Sequence, residues 1–301
     1  MPISLSDIPI FELRQRIRRA KELDTAKLEA SQVGTRIKRI MDRYSTRLAE
    51  LMLNGTYRAR KNRGAEPFNH VRELWYPPAQ FITRLGRLND LGQPLFYAAN
   101  KINVAMIELR PQPGDVLTAM IAQAKAGIAR LNVAHVGLER SRAPELARAI
   151  REDIPRVLPA HLQFLGSPSN HKKWLLIDNF IGDVFTEHVP DGSEHRYKLT
   201  VPIAELLFRI PRAEGINYPS VATNLHGINL CMQPADADRH FTPSRFHMFR
   251  VMDQRPSHGY FVHHLRQSLR IDADGSIVWG PELPQPTVNL DSLVIPEENP
   301  G

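Results

Sequence analysis

The sequence predicts an α+β fold, a mixed β-sheet core with flanking helices, carrying a helical N-terminal extension and a β-rich C-terminal extension. Three observations predict it. Apolar residues recur at three- and four-residue steps through roughly the first fifty positions, the spacing of an amphipathic helix. The middle of the chain alternates short apolar runs with helical stretches, separated by turns rich in glycine and proline. Beyond Pro234 the texture turns β-rich, with an Asp-Ala-Asp-Gly stretch that suits a hairpin turn. A chain of 301 residues has ample core for one large domain or two small ones.

Each element follows in order. Over residues 8–51, Leu13, Ile17, Leu23, Leu28, Val33, Ile37, Ile40, Met41, Leu48 and Leu51 fall between charged positions and read as helix, with Gly34 as a weak point or a break between two helices. Thr56–Arg60 alternates, placing Arg58 and Arg60 on one face of a strand and Tyr57 and Ala59 on the other. A polar loop runs to about Val71. The two prolines of Tyr-Pro-Pro-Ala-Gln-Phe then forbid regular structure and start a short helix or turn. Residues 85–94 are turn-rich, 94–99 read as a buried strand, and 100–109 as a helix with Ile102, Ala105, Met106 and Leu109 on its apolar side. Residues 116–125 read as a strand leading into a helix, and 143–154 as a clear helix. Helices are expected over 171–187 and over 198–209, the latter starting near Thr200 with Pro202 in its first turn. Residues 216–222 and 228–234 read as two short strands, strands follow across 246–280, and the tail from Pro281 reads as extended or loosely docked. The implied organisation is a helical extension at 1–53, a central domain at 54–236 and a β-rich extension with its tail at 237–301.

Composition narrows the class. No apolar run reaches the eighteen or so residues of a membrane helix, and the N-terminus has no basic segment followed by an apolar one, so a cytoplasmic protein is expected. The single cysteine, Cys231, excludes an internal disulfide and a cysteine-rich zinc site. The net charge is +7, from 39 basic and 32 acidic residues. Residues 1–50 supply four of that excess, with eleven Lys/Arg against seven Asp/Glu. A basic balance suits a polyanion, either nucleic acid or a smaller phosphate-bearing ligand. The Arg14, Arg16, Arg18 and Arg19 run fits the solvated side of a helix better than a phosphate grip, so nucleic acid is not the expected partner. Among His240, His247, His258, His263 and His264 no metal-ligand spacing occurs, and neither a P-loop nor a G-x-G-x-x-G is present.

One stretch, residues 86–109, carries Arg87, Tyr97 and Glu108 at near-equal intervals. Arg87 lies in a turn whose amides suit an anion. Tyr97 either stacks on a flat heterocycle or fills the core. Glu108, beside apolar Ala105, Met106 and Leu109, is either a solvated helix end or a functional carboxylate. Arg58 and Arg60 form either a cationic wall or an exposed edge. Ser220 has no G-x-S-x-G context, so its hydroxyl is a hydrogen-bond donor rather than an elbow nucleophile.

Four segments in order, YRAR (57–60), GRLNDLGQPLFYAA (86–99), VAMIEL (104–109) and YPSVATNLHGINLCMQP (218–234), resemble the RES domain family, named for an arginine, a glutamate and a serine. The resemblance covers about residues 55–235. It implies a fold like the diphtheria-toxin-type ADP-ribosyltransferases and an enzyme that cleaves the nicotinamide–ribose bond of NAD, by hydrolysis or phosphorolysis. It further implies the toxin of a toxin–antitoxin pair. A protein mono-ADP-ribosyltransferase, or a non-catalytic scaffold binding a nucleotide or nucleic acid, are the alternatives. Carried over by motif, Arg58, Glu108 and Ser220 match the three naming residues and take the catalytic roles. Arg87 and Tyr97 match the second arginine and the pocket tyrosine. Arg60 joins the NAD-binding set by sharing the face of Arg58. NAD is then a substrate, no metal is expected, and an antitoxin and a second copy of the chain are the expected protein partners. The chain departs from a compact RES toxin by about 50 residues before and about 65 after the matched region, and by Leu88 after Arg87, where the family often has an aromatic. These departures bear on substrate and acceptor.

Overall fold

The computed structural model describes residues 7–42, 44, 46, 48–52, 55–128, 130–142, 166–255, 259–284 and 287–290. Two helices open it, α1 (Ile10–Lys21) and α2 (Ala30–Met41). Both bury one stripe, Leu13 and Ala20 on α1 and Val33, Ile37, Ile40 and Met41 on α2. The break between them falls at residues 22–29, not at Gly34. Tertiary contacts set it: Lys198 Nζ donates to the carbonyls of Thr25 (3.0 Å) and Leu28 (2.7 Å), and Thr25 Oγ1 meets His195 Nδ1 at 2.8 Å. A capping box between Glu29 and Gln32 then starts α2. Gly34 sits buried inside α2, where Pro202 packs against the helix.

Residues 48–52 form a strand, β1 (Leu48–Met52), rather than the end of a helix. Its pairing with a distant strand outweighs the three-residue spacing of Leu48 and Leu51. The remaining strands are β2 (Thr56–Lys61), β3 (Phe96–Ala99), β4 (Val116–Ala124), β5 (Arg130–His135), β6 (Gly215–Pro219), β7 (Ile228–Met232), β8 (Phe241–Arg255), β9 (Gly259–Ile271), β10 (Ile277–Trp279) and β11 (Val288–Asn289). Among the described residues they form one mixed sheet in the order β1-β5-β6-β7-β3-β2-β4-β8-β9-β10, with β11 on β9. The β5–β6 pair is parallel and the others antiparallel. No helix follows β4 directly, because Gln123 and Ala124 keep pairing with Thr242 and Phe241. The helix expected at 143–154 lies outside the described residues. The tail is docked at Val288–Asn289, which pairs with Val262 and Phe261, and Leu290 is buried.

The other helices are α3 (Ile102–Ile107), α4 (Pro168–Phe185), α5 (Val201–Phe208) and α6 (Pro234–His240). Ser167 caps α4, its hydroxyl accepting from Asn170 N at 3.2 Å, and Pro168 takes the first turn. Pro202 takes the same place in α5. Helices α1, α2, α4 and α5 pack on one face of the sheet, against Ile216, Tyr218 and Cys231. Alternation along paired strands puts Tyr97, Cys231 and Ile216 on that face, with Tyr57, Ala99, Asn229 and Tyr218 beside them. Helix α3 covers the same face farther along, burying Val104 and Met106 against Ala59, Ala99, Ala119 and Phe249. The opposite face is closed by Leu74, Trp75, Phe241 and Ile277 over Phe96 and Met120. Strands β8 and β9 continue the central sheet through β4, so the C-terminal residues share its core. No helix among the described residues is long and apolar enough to cross a membrane.

On β8, His247 is 2% exposed; its Nδ1 meets His264 Nε2 at 3.3 Å and its Nε2 has no hydrogen-bond partner among the described residues. Burial first, then the repulsion of His264 and Arg245, lowers its pKa from 6.5 to about 3. Unfolding frees an imidazole that protonates below pH 6.5, while the folded one stays neutral down to about 3. The stabilisation is therefore complete above pH 6.5 and is lost as pH falls. Between pH 7 and pH 5 we expect a loss of roughly 2 kcal/mol from this group. Urea unfolding at both values checks it, and His247→Phe should flatten the difference.

Candidate functional site

Helix α3 is a short link after β3, and Glu108 caps its C-terminus. The carboxylate is exposed, yet one oxygen is fixed. Glu108 Oε1 accepts from Ser220 Oγ at 2.6 Å and from Asn229 Nδ2 at 2.6 Å. Oε2 carries no hydrogen bond among the described residues. Ser220 is fully buried at the end of β6, where the chain turns. That turn is tied internally: Ser220 N donates to Gly227 O, Thr223 N to Ser220 Oγ, and Gly227 N to Thr223 Oγ1. A Cβ on Gly227 would lie 2.5 Å from Val104 Cγ2 and 2.6 Å from Cγ1, so α3 rests directly on the turn. This close approach seats Glu108 over Ser220 and Asn229.

Tyr97 lies on the same sheet face. It pairs with Cys231 and Asn229 pairs with Ala99, so Tyr97 and the Glu108–Asn229 contact are two strand positions apart, about 7 Å. Tyr218 is paired with Asn229 on the neighbouring strand. Burial pushes both phenols well above their ordinary range, with the nearby Glu108 carboxylate adding at Tyr218, so both keep their protons. The Tyr97 hydroxyl donates to Asn89 Oδ1 (2.8 Å) and accepts from Leu88 N (3.1 Å), propping the Gly86–Asn89 turn. In that turn Arg87 is half-buried. Its fork donates to the carbonyls of Phe185 (2.8 Å) and Glu187 (3.2 Å), and its guanidinium lies 5.2 Å from the centre of the Tyr197 ring.

The strand arginines take another route. Strands β2 and β3 pair at Tyr57–Ala99 alone. Arg58 reaches from β2 to Leu74 O through Nε (2.8 Å) and to Tyr97 O through an Nη (2.7 Å). Burial lowers its guanidinium to about 10, with Arg60 repelling it, and it remains charged at neutral pH. Among the described residues no carboxylate neutralises it directly, and its hydrogen-bond partners are carbonyls. Arg60 leads away, donating to Glu73 O and stacking over Phe68.

The structure therefore joins Glu108 to Ser220, sets Tyr97 beside them, and brings Arg58 to Tyr97 from the far side of β3. Arg87 stands behind Tyr97 with its fork occupied, and Arg60 lies apart. Sequence reasoning missed Asn229, Tyr218 and Asn89. Asn229 had a local signal, a carboxamide between apolar Ile228 and Leu230 in a fully buried strand. Among the described residues no three His, Cys, Asp or Glu side chains gather as a metal site would require.

No individual curated protein matches the chain. A family model described as the RES domain matches residues 56–252. That match starts at the first residue of β2, takes in every residue of the cluster just described, and covers well over half of the sequence. The chain thus belongs to the RES domain family, which is associated with NAD-utilising enzymes.

Proposed function

We propose that this protein consumes NAD by cleaving its nicotinamide–ribose bond, with water or inorganic phosphate as acceptor, on a sheet of the diphtheria-toxin ADP-ribosyltransferase type. The observation that carries the reading is the exposed Glu108 carboxylate, with Oε1 held by Ser220 and Asn229 and Oε2 open. The chemistry needs one carboxylate rather than two. As the C1′–N bond breaks, its electron pair neutralises the positive nicotinamide ring, so the leaving group requires no proton and no general acid. Positive charge develops on the ribose instead, and Glu108 Oε2 stabilises it while holding the ribose hydroxyls. Water or phosphate oxygen then bonds to C1′; with water, one proton is released to solvent. Ser220 and Asn229 act through Glu108 by fixing its orientation before the reaction begins. Tyr97, neutral and flat, frames the nicotinamide over the buried Tyr218, and Arg58, with no carboxylate partner among the described residues, offers its charge to the diphosphate.

Transfer to a protein acceptor is the second reading, favoured by the openness of Glu108 to solvent. As a toxin, the protein would be held in check by an antitoxin. The test is to incubate the purified chain with NAD, with and without phosphate, and follow free nicotinamide by chromatography. Release establishes cleavage, and dependence on phosphate separates phosphorolysis from hydrolysis. No release in either buffer removes free-NAD cleavage from consideration.

A further inference from the structure

Beside Tyr97, on the side away from Glu108, opens a cleft of about 280 Å³ bordered by the Pro77–Gly86 segment. We infer that this cleft takes the adenosine-diphosphate end of the substrate, with Arg84 against the diphosphate and Phe81 stacked on the adenine. The inference rests on the NAD-consuming reading above and fixes the direction in which the dinucleotide lies.

Size, charge and surface chemistry support it. The volume falls just below the ~300–1,000 Å³ of whole small-molecule sites, so the cleft fits one half of a dinucleotide. Its lining includes Arg58 and Arg84 and no Asp or Glu. The positive nicotinamide end of NAD is repelled there and belongs at Glu108, whereas the diphosphate is attracted. Arg84 is exposed and makes no hydrogen bond to the described residues. The Glu194 carboxylate, which feels its charge, is already held by the amides of Glu194 and Gly192. Phe81 is 70% exposed, and Leu91 nearby is 60% exposed. The bond from Gly92 N to Ile82 O (2.9 Å) ties their two segments into one rim. An aromatic ring beside a guanidinium suits a planar, uncharged base. Pro77 and Pro78 hold the rim in place before the ligand arrives. Tyr97 lines the cleft and also flanks the Glu108 site, so a ligand spanning both passes over it.

The test uses ADP as a probe that needs no turnover. Calorimetric titration of the full chain is expected to show ADP binding, weakened about tenfold by Arg84→Ala and about fivefold or more by Phe81→Ala. Both side chains are exposed, so unchanged melting points serve as the folding control. In nicotinamide release, the KM for NAD should rise by matching factors while kcat changes far less. Absence of ADP binding, or equal binding in both variants and the parent, overturns the inference. If NAD is cleaved with unaltered KM in both variants, the function stands and this site falls. If ADP binding depends on both residues but no nicotinamide is released, the site stands and the cleavage reading falls.

Discussion

Glu108→Gln is expected to lower the kcat of nicotinamide release by about 10²–10³-fold while leaving the melting temperature within about 2 °C of the parent. Glutamine keeps the size and the carbonyl oxygen that Ser220 Oγ and Asn229 Nδ2 address, so the contact beneath α3 survives. What disappears is the negative charge on the oxygen left open. A fixed carboxylate against a developing oxocarbenium charge is worth roughly 3–4 kcal/mol, and each 1.4 kcal/mol is about tenfold in rate. Chromatography of released nicotinamide and a thermal unfolding curve on the same preparation decide the matter. Full turnover in the glutamine variant would place the reacting carbon elsewhere. A collapse in melting temperature would show that the carboxylate is structural.

Local patterns carried the strands and helices that hold the site, and long-range partners carried everything else. The alternation of residues 56–61 placed Arg58 and Arg60 on one face because the strand period is two and needs no knowledge of neighbours. The strand carrying Tyr97 and the helix ending at Glu108 were legible from equally local patterns, a short apolar run and a three- to four-residue apolar spacing. The break at residues 22–29 was not, since Lys198 and His195 enforce it from 170 or more positions away. Nor was β1, whose partner β5 lies some eighty residues on, or the parallel β5–β6 pair. At the site itself, Glu108 and Ser220 are 112 residues apart, and only the ordered motifs connected them before their 2.6 Å contact was seen. Asn229 supplies the second bond to the same oxygen, but its own strand gives no sign of where that oxygen is. On the arginine-rich face of α1 the pairing is local, Arg16 with Glu12 and Arg18 with Glu22 one turn away.

Arg87 is where motif and geometry assign different work, and its substitution separates them. Its side chain donates to the carbonyl of Phe185, the last residue of α4, and to that of Glu187 just beyond. A cation there satisfies helix-terminal acceptors and meets the negative end of the helix dipole. Its own carbonyl accepts from Thr200 Oγ1 at the start of α5. The next residue, Leu88, donates its amide to the Tyr97 hydroxyl. One turn thus joins two helices to the pocket tyrosine. Arg87→Ala should therefore cost about 2–3 kcal/mol, for two charge-assisted bonds and the Tyr197 stack, discounted because the side chain is only half-buried. That corresponds to a melting point lower by several degrees. Arg87→Lys should recover less than half of it, since an ammonium is a point donor and does not reach both carbonyls while stacking on the ring. The KM for NAD should rise in both variants as Tyr97 loses its support, following the loss of stability. A lysine variant that melts with the parent but binds NAD at least about tenfold more weakly would show the reverse, a guanidinium that leaves α4 to grip the diphosphate.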